Sequence, residues 1–323
     1  MAGRAVTIKG IKGEFLAGIE AAPRLFSNIA QVVDSDAPEE TYLFGGQVPR
    51  MEEWIDTRKA VDLFQKKLTV PNRIYANAIK VDRFEKQDDR MGFFNQRIRE
   101  MATEASNFVD ELVFGTLMDA AESASGSEGP AYDGSAFFDT THVDPAAEVT
   151  AAQSNDLAPA AVAPTNPTLA EFTNSVKTNL ISFRTFVDDR GRKWWRNIGP
   201  STVFWLIVPP GFEKVATEFI KSQSVDSTNP AIINALTNIA QYAMIVNTET
   251  ANDDSFITAL AAPGRMPFLV QQRVSPVMNS VTGDRAGEID SETFFNRYDF
   301  WGAYNRVGIG YGQWRSAILS RFA

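Results

Sequence analysis

TYLFGGQVPRMEEWIDTRKAVDLFQKKLTVPNRIYANAIKVDRFEK, residues 41–86, is the stretch on which the architecture turns. Its second half, LTVPNRIYANAIKV, alternates polar and apolar side chains as a strand does, and Pro71 interrupts the alternation. Proline lacks the amide hydrogen that a central strand must donate, so the run predicts an edge strand or a freestanding ribbon. Arg50, Glu52, Glu53, Asp56, Arg58, Lys59, Asp62, Lys66, Lys67 and Arg73 mix both signs of charge along it, around Trp54. So many charges among so few large apolar residues leave this segment no core of its own. It is either a solvated hairpin or a strap that lies on a neighbour.

On the C-terminal side, DDRMGFFNQRIREMATEASNFVDELVFGTLMDAAES carries Met91, Phe94, Ile98, Met101, Ala105, Phe108, Leu112 and Leu117 mostly three or four residues apart. That period predicts one long amphipathic helix over 88–123, roughly 50 Å at 1.5 Å per residue. Asp88 and Asp89 would set negative charge at its N-terminal end, where the helix dipole favours it. On the N-terminal side, Phe15, Ile19, Phe26 and Ile29 predict a helix within Glu14–Val33, so the first 40 residues read as an arm with one helix.

Farther along, residues 146–167 are rich in alanine and proline and read as a linker. Thr168–Val187 is a second helix, VFWLIVPP a buried strand, Gly211–Lys221 and Pro230–Tyr242 helices, and AMIVNT a strand. From Pro267 the chain returns to strands. The class is α+β, with an α/β unit in the second half.

Totals narrow the function. The 323 residues carry a net charge of -9, and residues 87–160 hold three arginines against 14 acidic side chains. No clustered lysines and arginines are present to displace counterions from nucleic acid, so tight phosphate binding is not expected. With no cysteine, disulfides, thiolate zinc sites and a cysteine nucleophile are all excluded. No apolar run is long enough to span a membrane, and the N-terminal residues are too polar for a secretory signal.

One stretch invites a catalytic reading. AYDGSAFFDTTHVDP, residues 131–145, holds the single histidine, His142, among Asp133, Asp139 and Asp144. These are metal-ligand types, but their spacing matches no metal motif and no second histidine exists; Asp133-Gly134 is turn chemistry instead. The G-x-G-x-G of GIGYGQW lacks a P-loop lysine, and its glycines allow close backbone approach within a strand. Arg190, Arg192, Lys193 and Arg196 with Trp194 and Trp195 form a basic, aromatic knot that reads as a turn with its charges turned outward, with base stacking as the competing reading. No catalytic, cofactor or metal site emerges, and an enzyme is not expected.

Six stretches in order resemble the major head subunits of Mu-like bacteriophages and prophages, within the Hong Kong 97-like capsid fold. They are EEWIDTR, NFVDELVF, YDGSAFFDTTH, FRTFVDDRGR, LIVPPGFEKVA and YDFWGAYNRVGIGYGQW. The resemblance implies an N-terminal arm over 1–40, an extended β-hairpin loop over 41–86, and a peripheral domain over 87–164 with its spine helix at 88–123. It further implies an α/β axial domain over 165–262 and a return to the peripheral sheet over 263–323. The Asp/His stretch then closes off the spine helix.

The implied function is a major capsid protein that self-assembles through hexamers and pentamers into an icosahedral head enclosing double-stranded DNA, without gripping it. The charged residues of the ribbon, together with Trp54, are the inter-subunit contact candidates, because complementary charges fix register between copies. Scaffold and portal proteins, and in some shells decoration proteins, are the implied partners; the location is the virion, after assembly in the host cytoplasm. Lys66, Lys67 and Asn72 have the residue types of the cross-link some relatives form, but nothing places a catalytic acid beside them, and none is expected. The alternatives are the shell of an encapsulin-like nanocompartment and a metal-dependent hydrolase using Asp133, Asp139, His142 and Asp144.

Overall fold

A computed structural model describes residues 8–46, 48, 51, 53, 65–82, 92–122, 128–143, 151–221, 236–250, 252–280 and 298–323. Two sheets organise them. The first has four strands, in the order β1 (Ala30–Asp34), β9 (Phe268–Ser280), β10 (Tyr298–Tyr311), β4 (Arg73–Asp82). The second has five, in the order β5 (Asp156–Leu157), β11 (Ala317–Arg321), β8 (Ser255–Leu260), β6 (Val203–Val208), β7 (Gln241–Val246). A separate pair joins β2 (Glu39–Gly45) to β3 (Gln65–Pro71).

The arm helix α1 spans Ile8–Ala21, earlier than expected, because Ala30–Asp34 is drawn into parallel pairing with Phe268–Gln272. Ile11, Phe15 and Ile19 lie four residues apart and are buried against Phe94, Ile98, Met101 and Trp301. The described part of the long helix α2 starts at Phe93, and Gly92 just before it has a φ of 76°. Asp88, Asp89 and Met91 lie outside the described residues. After Phe93–Glu111 the helix widens into a π-turn over Leu112–Leu117 and closes at Met118–Ala120. Such widened turns are rare and need outside partners. Asn247 Nδ2 donates to Phe114 O at 2.9 Å, and Tyr311 Oη donates to Leu117 O at 3.1 Å.

In the second half, α3 (Leu169–Thr185) begins with a reciprocal cap between Thr168 and Glu171, and the backbone N–H of Thr168 is the main cause that holds the Glu171 carboxyl below its usual range. VFWLIV forms a strand as expected, and it pairs parallel with β7 and antiparallel with β8. The helix expected over Pro230–Tyr242 is cut short: its described part is one turn, Leu236–Ile239, and Gln241 and Tyr242 join β7 to complete the pairing with Val203 and Phe204. The linker contributes β5. β11 leaves the four-stranded sheet and pairs with β8, so the C-terminal stretch divides between two sheets where the sequence reading put it in one. Phe172, Phe204, Phe219, Phe256 and Phe322 fill the space between this sheet and the helices α3 and α4 (Glu213–Lys221). Among the described residues, no helix is long and apolar enough to cross a membrane.

Candidate functional site

The Asp/His stretch is a lock inside the fold. His142 is 0% exposed and its ring stacks on Trp314, centroids 4.1 Å apart. Asn155 fixes the polarity of the network: its Nδ2 donates to the carbonyls of Phe137 (2.8 Å) and Trp314 (3.1 Å), and its Oδ1 accepts the Asp139 N–H at 2.9 Å. His142 Nε2 therefore donates to that same Oδ1, 3.0 Å away. Its Nδ1 meets Asp133 Oδ2 at 2.6 Å, a separation that requires a proton between them. The pair so joined adds no net charge to the interior, which is how a buried carboxylate and imidazole are tolerated together.

Both ring nitrogens thus face protein oxygens, and neither is left for a metal. Asp139 accepts from the N–H and hydroxyl of Thr141, and Asp144 lies outside the described residues. Phe138 N donates to Ala121 O at 2.8 Å, so the stretch does close off the end of α2. Sequence reasoning missed Asn155 and Trp314. One sits in the alanine-rich linker and the other behind the glycine run, and no spacing signals that a strand return brings them to His142.

The ribbon is built in the opposite way. β2 and β3 run antiparallel from Glu39↔Pro71 to Gly45↔Gln65. Their root is tied down: Asn72 Nδ2 donates to Ser35 Oγ and Ala37 O, both at 2.8 Å, and Tyr42 Oη donates to buried Gln271 at 3.0 Å. Burial is the main cause that raises the Tyr42 hydroxyl to a pKa of about 12, so it stays a donor. Val70 and Pro71 cross the glycine face of β10. A β-carbon on Gly308 would stand 2.7 Å from Pro71 O, and one on Gly310 2.7 Å from Val70 Cγ2, which is why the G-x-G run is there. Beyond the root, Leu43 and Lys67 are exposed and Lys66 is half-buried.

Of the contact candidates, Glu53 is exposed, while Arg50, Glu52, Trp54, Asp56, Arg58, Lys59 and Asp62 lie outside the described residues. Arg73 stands at the root, paired with Glu128 of its own chain at 2.8 Å.

The profile of the family described as Mu-like prophage major head subunit gpT matches residues 5–168. The Mu-like prophage FluMu major head subunit of Haemophilus influenzae is 34% identical over 133 residues, 41% of each chain. The major capsid protein of Escherichia phage Mu is 31% identical over 129 residues, 40% of each. The matched part thus spans about two fifths of the length of these curated relatives. Among solved structures, the capsid of Cyanophage P-SCSP1u aligns over 94% of this chain and 89% of its own with a TM-score of 0.56 at 10% identity. That likeness carries the fold, which is the Hong Kong 97-like capsid fold that the motif order implied. The profile match covers half of the chain, and on it the chain belongs to the Mu-like prophage major head subunit family.

Proposed function

We propose that this chain is the subunit of a phage or prophage head: it assembles with copies of itself into an icosahedral shell around double-stranded DNA and catalyses no reaction. The observation that carries the reading is the two-stranded ribbon, secured by Asn72, Tyr42, Val70 and the stack of Phe44 on Tyr132, with its other side exposed at Leu43 and Lys67. A projecting strap of this kind suits a neighbouring copy, and many weak contacts suffice when a closed shell engages each subunit through several neighbours at once. The names of its curated relatives, a head subunit and a major capsid protein, support the same reading.

Within it, residues 1–40 act as the arm, 41–86 as the strap, 87–164 as the peripheral domain and 165–262 as the axial domain, with 263–323 closing the sheets. A net charge of -9 lets packaged DNA slide along the wall instead of adhering to it. Scaffold and portal proteins, and decoration proteins where present, complete assembly in the host cytoplasm.

The test is excision of residues 54–64, replaced by a short glycine-serine turn. The cut stops short of Val70, which is 2% exposed and belongs to the core. The shortened chain is expected to stay folded and to form no closed particles by electron microscopy. Normal particles after the excision would sink the reading.

A further inference from the structure

The basic, aromatic knot lines an open cleft of about 1260 Å3. Arg184, Arg192, Lys193, Arg196 and Arg265 face it, with Asp188 the acid among its lining residues. Asp188 neutralises Arg192, Nε to Oδ2 at 2.8 Å. Lys193 Nζ donates to the carbonyl of Thr185 at 3.2 Å, and Arg265 Nη1 to that of Trp194 at 2.7 Å; these bonds orient the cations without cancelling their charge. Arg184 and Arg196 are exposed and form no ion pair among the described residues. Arg265 lies over both indoles, 4.6 Å from the ring centre of Trp194 and 5.6 Å from that of Trp195. In a chain with excess acid, four cations without a matching carboxylate here call for an anionic partner.

Two features favour a polypeptide over nucleic acid. Arginine and tryptophan around a cleft are the side chains that dominate protein interfaces, and the volume exceeds the roughly 300–1,000 Å3 of small-molecule sites. The second is position. Val48 and Met51, from the chain beyond β2, line the same cleft, yet they are 70% and 96% exposed and leave it unfilled. The sequence that continues from Met51 is Glu-Glu-Trp-Ile-Asp, three carboxylates and an indole in five residues.

We propose that this cleft is the receptor for the acidic segment Met51–Asp56 of a second copy of the chain. The inference rests on the self-assembly reading and names the surface that receives the strap. Carboxylates of the incoming segment pair with Arg184, Arg196 and Lys193, and its indole packs against the Arg265–tryptophan stack, where cation–π contact adds to burial.

Charge reversal and rescue test it. Arg184→Glu with Arg196→Glu is expected to raise the concentration at which particles form by roughly tenfold, with the largest difference at low salt. Adding Glu52→Arg and Glu53→Arg to that chain is expected to restore assembly. Because the chain has no cysteine, a second experiment is independent of charge. Glu53→Cys and Arg196→Cys in one chain, treated in particles with a short bifunctional thiol reagent, are expected to give a ladder of joined chains on a denaturing gel. Single-chain bands alone would overturn the proposal. So would a threshold unmoved by the reversals, or a loss that the compensating arginines fail to repair while binding of a short DNA duplex disappears. Absence of particles from the unsubstituted chain would count against self-assembly itself, whereas the other failures leave that reading standing.

Discussion

The histidine stretch and the charged ribbon are both polar, both flank the helix α2 in sequence, and meet water in opposite ways. Every charge at His142 and Asp133 has an internal partner, so the stretch sinks into the core with both side chains fully buried. The ribbon is bonded into the core at its root, while the described charges Glu53 and Lys67 farther out stay exposed. Charge density therefore does not decide which segment goes inside; satisfaction within the same chain does. A polar segment that closes its own network becomes part of the fold, and one that does not becomes a surface for something else.

The largest effect should come from opening the closed network. His142→Ala leaves the Asp133 carboxylate buried without its partner and removes the stack on Trp314. A loss of about 3–5 kcal/mol in chemical denaturation is expected; a loss below about 1 kcal/mol would mean that the stretch resembles the ribbon after all. Next is the root of the ribbon. Gly308→Ala drives a methyl against the Pro71 carbonyl, and an overpacking cost of about 1–3 kcal/mol is expected from thermal melting.

A smaller effect is expected from Glu40, whose carboxyl is held below its usual 4.5 by hydrogen bonds from the Ser35 hydroxyl and the Ala37 amide. A depressed folded value means that the stabilisation is present above the unfolded value and lost as pH falls through the folded one. Glu40→Gln should accordingly be less stable than the parent at neutral pH, and the difference should close on acidification in a pH series of melts. Last, Lys67→Ala should change folding stability by no more than about 0.5 kcal/mol, as an exposed position does, while light scattering reports weaker particles. A large folding defect there would erase the contrast between the two regions.

How much of this was readable beforehand differs by element. Apolar spacing located α3, β6, β7 and the long helix, because each buries one face and the burial writes its period into the sequence. The boundaries of α1 and β1 were missed because Phe26 and Ile29 keep a helical rhythm with Ile19 yet lie in the short turn that leads into β1. Pairing with Phe268, over two hundred residues away, overrode the local pattern. The His142 network was half legible. Asp133 and His142 stood out by type, whereas Asn155 and Trp314 reach them only through β11 pairing, which no local signal encodes. The cleft was legible as residues, Arg192 to Arg196, but not as a cavity, since Arg184 and Arg265 come from a helix and a distant loop.

The π-turn at Leu112–Leu117 carries one more consequence. A regular helix advances 100° per residue, so the extra residue in a wide turn rotates everything beyond it by about that angle. The helix meets the arm through Phe94, Ile98 and Met101, and from Val109 onward, before the turn begins, it meets the aromatic interior of the second half. The five-residue step between Leu112 and Leu117 works as a gear offset that keeps the end of the shaft meshed with this second wheel through Val113, Phe114, Leu117 and Met118. Deleting one residue there would turn the last of these teeth out of mesh.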